Sequence, residues 1–120
     1  MFLRNPLLAV IALPVFLMAQ PTLIQAGSAD VAAGKRIYLS LCKACHGLDG
    51  KGPGVMKLNP PAADLTSPQV QTKLDSRLYN SIHEGRVNTA MGAWKYELSA
   101  KEILDVMAYV RTLSDVPSTP

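Results

Sequence analysis

At 120 residues the chain has room for one domain. Its 12 Lys and Arg stand against 9 Asp and Glu, a net charge of +3 with the signs interleaved, which excludes the basic stripe that nucleic-acid binding requires. With 6% aromatic residues and two cysteines, a domain of this size is marginal for building its own core, so something besides side chains has to supply buried apolar surface.

Residues 1–26 differ from the rest. They hold one charged residue, Arg4, then an apolar run from Leu7 to Met18, and end on the small residue Ala26 before Gly27. This pattern predicts a secretory signal peptide over 1–26 and a domain proper over 27–120, hence a periplasmic location. Pro6, Pro14 and Pro21 interrupt the run, which is shorter than the roughly 20 apolar residues of a spanning helix. Ile24, three positions before the expected cut, is less typical than alanine, so an uncleaved N-terminal membrane anchor is the alternative.

Three segments then have helical apolar spacing, and none alternates as a strand does. The first covers residues 30–41, with Val31, Gly34, Tyr38 and Leu41 on one face, Cys45 continuing it, and Ser28 or Asp30 as its cap. The second covers residues 71–84, with Leu74, Leu78 and Ile82 at four-residue steps and Gly85 as its stop. The third covers residues 99–113. There Ser99 and Glu102 form a capping box, and Ile103, Leu104, Met107, Ala108, Val110 and Leu113 form a broad apolar face. Two irregular stretches separate them, 47–70, rich in Gly and Pro, and 85–98. Loops this long in so small a domain need a reason, and wrapping a large flat ligand is a sufficient one.

That ligand is indicated by Cys42-Lys43-Ala44-Cys45-His46, a C-x-x-C-H run. Cysteines three apart lie about one helical turn from each other. Their sulfurs can form thioethers with the two vinyl groups of a haem, and His46 is then held beneath the iron as its proximal ligand. Three other readings of the motif are weaker. A thioredoxin-like pair belongs near a βαβ pattern, and none is present. A zinc site from Cys42, Cys45, His46 and His83 has the wrong histidine spacing. A disulfide between Cys42 and Cys45 closes too short a loop to stabilise much.

Candidates for the sixth iron position are Met56, Met91, Met107 and His83. Met91 is favoured because its irregular stretch can fold over the other haem face. Met107 suits core packing, Met56 follows His46 too closely, and His83 suits a surface or propionate contact. With His46 and Met91 both bound, no iron position is open, which suits outer-sphere electron transfer and not enzymatic turnover.

On these residues the chain resembles the small class I monohaem cytochromes c, above all the short bacterial periplasmic ones, over residues 30–113. The resemblance implies an all-α cytochrome c fold: three main helices with long loops wrapping one covalent haem c. It implies that Gly34 packs against Tyr109, and that the carbonyl of Pro60 or Pro61 accepts the Nδ1 proton of His46. It places Met91 in a methionine loop, Asn88-Thr89-Ala90-Met91-Gly92-Ala93-Trp94. Gly92 stands there where the family often has proline, leaving the loop less pre-organised. Trp94 either shields the haem edge or is an ordinary core tryptophan.

The implied function is a monomeric, periplasmic one-electron carrier between redox proteins, either membrane complexes or other cytochromes. The alternatives are a haem subunit of a membrane oxidase or reductase complex held by an uncleaved anchor, and a haem enzyme or gas sensor with a labile sixth ligand. Lys43, Lys51, Lys57 and Lys95 flank the segments expected to frame the haem. They either form a positive ring that steers an acidic partner or are simply solvated, and the sequence favours the plainer reading.

Overall fold

The computed structural model describes residues 27–114. The expected signal peptide over 1–26 therefore lies outside the described residues. No strand occurs among the described residues.

Asp30 starts the first helix. Its backbone is extended, and Oδ1 accepts the N–H groups of Ala32 and Ala33 at 2.9 and 3.0 Å. The chain then runs as α1 (Val31–Ile37), a π-helical widening over Tyr38–Cys42, and α2 (Lys43–His46). The expected stop near Leu41 does not occur, and the rod continues through the whole C-x-x-C-H motif. In the widened stretch the N–H of Lys43 bonds the carbonyl of Tyr38, five residues back. The extra residue in that turn rotates the motif relative to the buried face of α1. Gly47, at φ +82°, ends the rod, and its carbonyl accepts the buried Tyr38 hydroxyl at 2.7 Å.

The second expected helix, 71–84, begins later, as α4 (Asp75–His83), and a short helix, α3 (Pro68–Gln71), occupies the end of the stretch expected to be irregular. The Arg111 guanidinium causes the break between them. It donates to the carbonyls of Val70, Gln71 and Lys73 and to Asp75 Oδ1, at 2.6 to 3.2 Å. Those carbonyls are thereby spent on a distant side chain, and Leu74 is left extended before α4 and 68% exposed, off the buried face expected for it. The third helix, α5 (Ala100–Thr112), matches its expected span. Its capping box is complete: Ser99 Oγ accepts from the Glu102 N–H, and Glu102 Oε2 accepts from the Ser99 N–H at 2.8 Å. Leu104, expected on the apolar face, is exposed.

The core is small. It gathers Tyr38, Val70, Leu78, Ile103, Val106, Met107 and Val110, with α1 crossing α5 at its centre. Gly34 makes that crossing possible, because a Cβ there would sit 1.9 Å from the Asp105 carbonyl oxygen. The expected partner of Gly34, Tyr109, is not its nearest neighbour: α5 meets Gly34 through the backbone of Asp105 and Val106. The Tyr109 ring lies instead on Tyr38, with centroids 5.1 Å apart. Asp105 is itself buried and accepts the Asp30 N–H at 2.7 Å and the Lys101 ammonium at 2.6 and 2.8 Å. Burial raises its pKa, but these donors and the charges of Lys101 and Arg36 outweigh burial and hold the carboxyl below its usual range.

Candidate cofactor site

The two irregular stretches and the motif enclose a largely apolar cavity of about 620 Å³, within the roughly 300–1,000 Å³ typical of cofactor sites. Cys42, Cys45 and His46 line it from the end of the helical rod, and Tyr38, Val106 and Val110 reach it from the core. The motif reaches this wall because the rod does not stop at Leu41 and because its last turn is rotated by the π-helical stretch. Both cysteines are free thiols and half-buried. Burial, then the neighbouring Cys45, pushes the Cys42 thiol up to about 11.

His46 Nδ1 lies 3.0 Å from a backbone carbonyl, which can only accept. The contact is a hydrogen bond when the ring proton sits on Nδ1, and this leaves the Nε2 lone pair available to a metal. The carbonyl belongs to Ala63, not to Pro60 or Pro61 as expected. The reason is the turn that follows. Asp64 Oδ1 accepts both the Thr66 N–H at 2.8 Å and the Thr66 hydroxyl at 2.7 Å, and the Ser67 hydroxyl donates to the Asp64 carbonyl at 2.7 Å. The Leu65 N–H is tied to the Gly50 carbonyl at 2.7 Å. These bonds fix the chain one residue after Ala63 and aim its carbonyl at the ring. The Thr66 bonds, first of the side chain and then of the backbone, also hold the Asp64 carboxyl below its usual range. The Asp64-Leu65-Thr66 pattern is an Asx turn and was the available signal for this role. Pro60 and Pro61 line the cavity wall instead.

Of the four candidates for a second axial ligand, Met91 alone lines the cavity. Met107 is 4% exposed in the core. His83 donates from Nδ1 to Glu84 Oε1 at 2.7 Å and stacks on Tyr79. Met56 is half exposed, with its sulfur 3.8 Å from Cys45 Sγ. The Met91 loop is braced by its own backbone. The Arg86 N–H bonds the Met91 carbonyl at 2.9 Å, and the Met91 N–H bonds Thr89 Oγ1 at 3.1 Å. Gly85, at φ +72°, allows the close return, since a Cβ there would strike the Met91 carbonyl oxygen at 2.6 Å. Trp94 also lines the cavity and opens a 3₁₀ turn, Trp94–Tyr96. Lys73 and Arg86 bring positive charge to the lining.

This donor set fits a haem. Two thiols one turn apart, an imidazole with its outer nitrogen free, a thioether on another wall and apolar sides match a flat iron porphyrin with two reactive vinyl groups. Among the described residues no three His, Cys, Asp or Glu side chains converge as a separate metal site.

Comparison with known proteins agrees with this fit. Residues 29–110 match the family described as "Cytochrome C oxidase, cbb3-type, subunit III". Cytochrome c-554(547) of Halothiobacillus neapolitanus is 31% identical over 91 residues, covering 70% of this chain and 97% of that protein. The cytochrome c subunit of the quinone alcohol dehydrogenase of Gluconacetobacter polyoxogenes is 31% identical over 99 residues. That match covers 75% of this chain but only 20% of the subunit. Among solved structures, the KustC0563 c-type cytochrome is 29% identical with a TM-score of 0.58, over 68% of this chain and 98% of that one.

Proposed function

Because the chain belongs to the c-type cytochromes, which carry covalent haem c and transfer electrons, we propose that it is a periplasmic one-electron carrier with His46 and Met91 as axial ligands. The observation that supports this most is that both side chains line one cavity, with His46 Nδ1 3.0 Å from the Ala63 carbonyl oxygen, a contact that favours the proton on Nδ1.

Cys42 and Cys45 would hold the haem through thioethers, and His46 and Met91 would ligate its iron. When bound, the haem would supply one-electron iron chemistry. The protein's part is to keep that chemistry easy. Ala63 orients the imidazole and makes it a better donor. The apolar walls exclude water, which limits reorganisation when charge changes. A methionine thioether favours the ferrous state and raises the potential. With His46 and Met91 both bound to the iron, no coordination position would be left for a substrate, which suits outer-sphere electron transfer.

The test is the ferric absorption spectrum of the wild type and of Met91→Ala. The wild type should show the weak far-red band of a Met–iron bond, and the variant should lose it. The potential of the variant should fall by on the order of 0.1 V, a fraction of the roughly 0.8 V that axial ligands span. A wild type without the band, binding carbon monoxide freely, would favour a gas-binding or enzymatic haem instead.

The quinone alcohol dehydrogenase relative supports a second reading, a cytochrome subunit docked in a membrane enzyme complex. No helix among the described residues is long and apolar enough to cross a membrane, so in that reading residues 1–26 would supply the anchor. The mass of the purified haem protein separates the two. A chain beginning at Gly27 supports the carrier, and one retaining Met1 supports the anchored subunit.

A further inference from the structure

The segment that carries Met91 leaves α4 at Glu84 and returns at Lys95, and these two ends are joined by side chains. Lys95 Nζ lies 2.5 Å from Glu84 Oε2, and His83 donates to the other carboxylate oxygen at 2.7 Å. His83 is steadied by its stack on Tyr79, with centroids 5.3 Å apart, and Lys95 lies 5.4 Å from the Tyr96 ring centroid. Lys95, and secondarily His83, hold the Glu84 carboxyl below its usual range. Between the ends, Met91 is held by two hydrogen bonds within the loop, from the Arg86 N–H to its carbonyl and from its own N–H to Thr89 Oγ1. The next residue, Gly92, has open space where a side chain would be. A loop closed at its neck and lightly held at its tip opens as a unit, and the neck governs how often.

We propose that the pair of Glu84 with Lys95, braced by His83, is a latch on the Met91 segment that sets how readily this methionine yields its place on the iron. The proposal rests on the reading of Met91 as the sixth ligand. Glu84 and Lys95 are positioning residues: neither lies in the motif, and each acts through the loop between them.

The test uses the holoprotein and imidazole as the competing ligand, followed by loss of the far-red band. Glu84→Gln and Lys95→Met should each raise imidazole affinity about two- to fivefold, the range that partly exposed ion pairs support. Lys95→Arg, which keeps charge and reach, should stay at the wild-type value. Hydrogen exchange at the Arg86 amide, which reports the loop without reference to iron, should quicken in the first two variants by a similar factor. Unchanged affinity and unchanged exchange overturn the latch. Faster exchange with unchanged affinity overturns its control of the iron. Absence of the far-red band in the wild type overturns the ligand reading and the latch with it.

Discussion

Cys42→Ser combined with Cys45→Ser should yield a colourless polypeptide whose mass equals the bare chain, even from a host competent in haem attachment. The thiols are the only groups in the cavity lining able to form thioethers. Without them a haem would have no covalent tie to the chain and would be free to leave. The loss should extend beyond colour. Among the described residues seven buried hydrophobic residues form the core, and five of those, Tyr38, Val70, Leu78, Val106 and Val110, also line the cavity. An empty cavity leaves that shared surface without a partner, in a domain already small for its fold. Binding that exists only in the folded state contributes directly to its stability. The far-UV helical signal of the double variant should therefore fall by about half or more at 25 °C. Single Cys→Ser variants retain one thioether and should stay coloured with lowered stability. Mass spectrometry after acid–acetone extraction reads the first outcome, and circular dichroism the second. A double variant that keeps its haem through extraction contradicts the assignment.

Gly34→Ala should be the most damaging single substitution away from the motif. Its Cβ would lie 1.9 Å from the Asp105 carbonyl oxygen, 2.4 Å from the carbonyl carbon and 2.9 Å from the Val106 nitrogen. All three are backbone atoms of α5, so no side chain can swing aside, and α1 has to move off. That movement also strains the bond from the Asp30 N–H to the Asp105 carboxylate, which spans the same crossing at 2.7 Å. A destabilisation of about 3 kcal/mol or more is expected, the upper end of overpacking effects. Guanidinium unfolding of the holoprotein measures it as a lower midpoint at constant slope. Gly92→Ala is the matched control. Its Cβ meets nothing within 4 Å and its φ is not positive. It should be neutral or stabilising by up to about 1 kcal/mol through a stiffer unfolded chain. Equal effects at the two glycines would mean that the close crossing is unimportant.

The features legible in the sequence were those whose cause is local. The capping box at Ser99 and Glu102 needs four consecutive residues and is present as expected. The Asp30 cap and the third helix follow from the same short-range chemistry. The haem motif was legible because its spacing is its mechanism. The sequence-based reading failed where the cause is distant. The split between α3 and α4 is made by Arg111, 36 residues from Asp75 and 41 from Val70. Leu78 and Ile82 keep their expected places in α4 against the core, and only Leu74 falls out of the helical period. The π-helical turn over Tyr38–Cys42 was not foreseen, because one widened turn in so short a rod is too small a phase shift to stand out in the apolar spacing. Gly34 was recognised as a close-packing glycine, but the backbone of Asp105 and Val106 that comes nearest to it was not. Backbone-to-backbone contact has no residue-type signature, whereas the aromatic Tyr109 did.

The acceptor on His46 is a main-chain oxygen, and that has a consequence for how the site can be studied and how it can vary. Exchanging the methyl group at position 63 for another side chain leaves the oxygen where it is. Alanine scanning is mute at this position by construction, and a survey of homologous sequences could find it variable while the contact persists. Its contribution becomes visible only through atoms that mutagenesis does not reach, by exchanging the amide for an ester or by isotope-edited vibrational spectra of that one carbonyl.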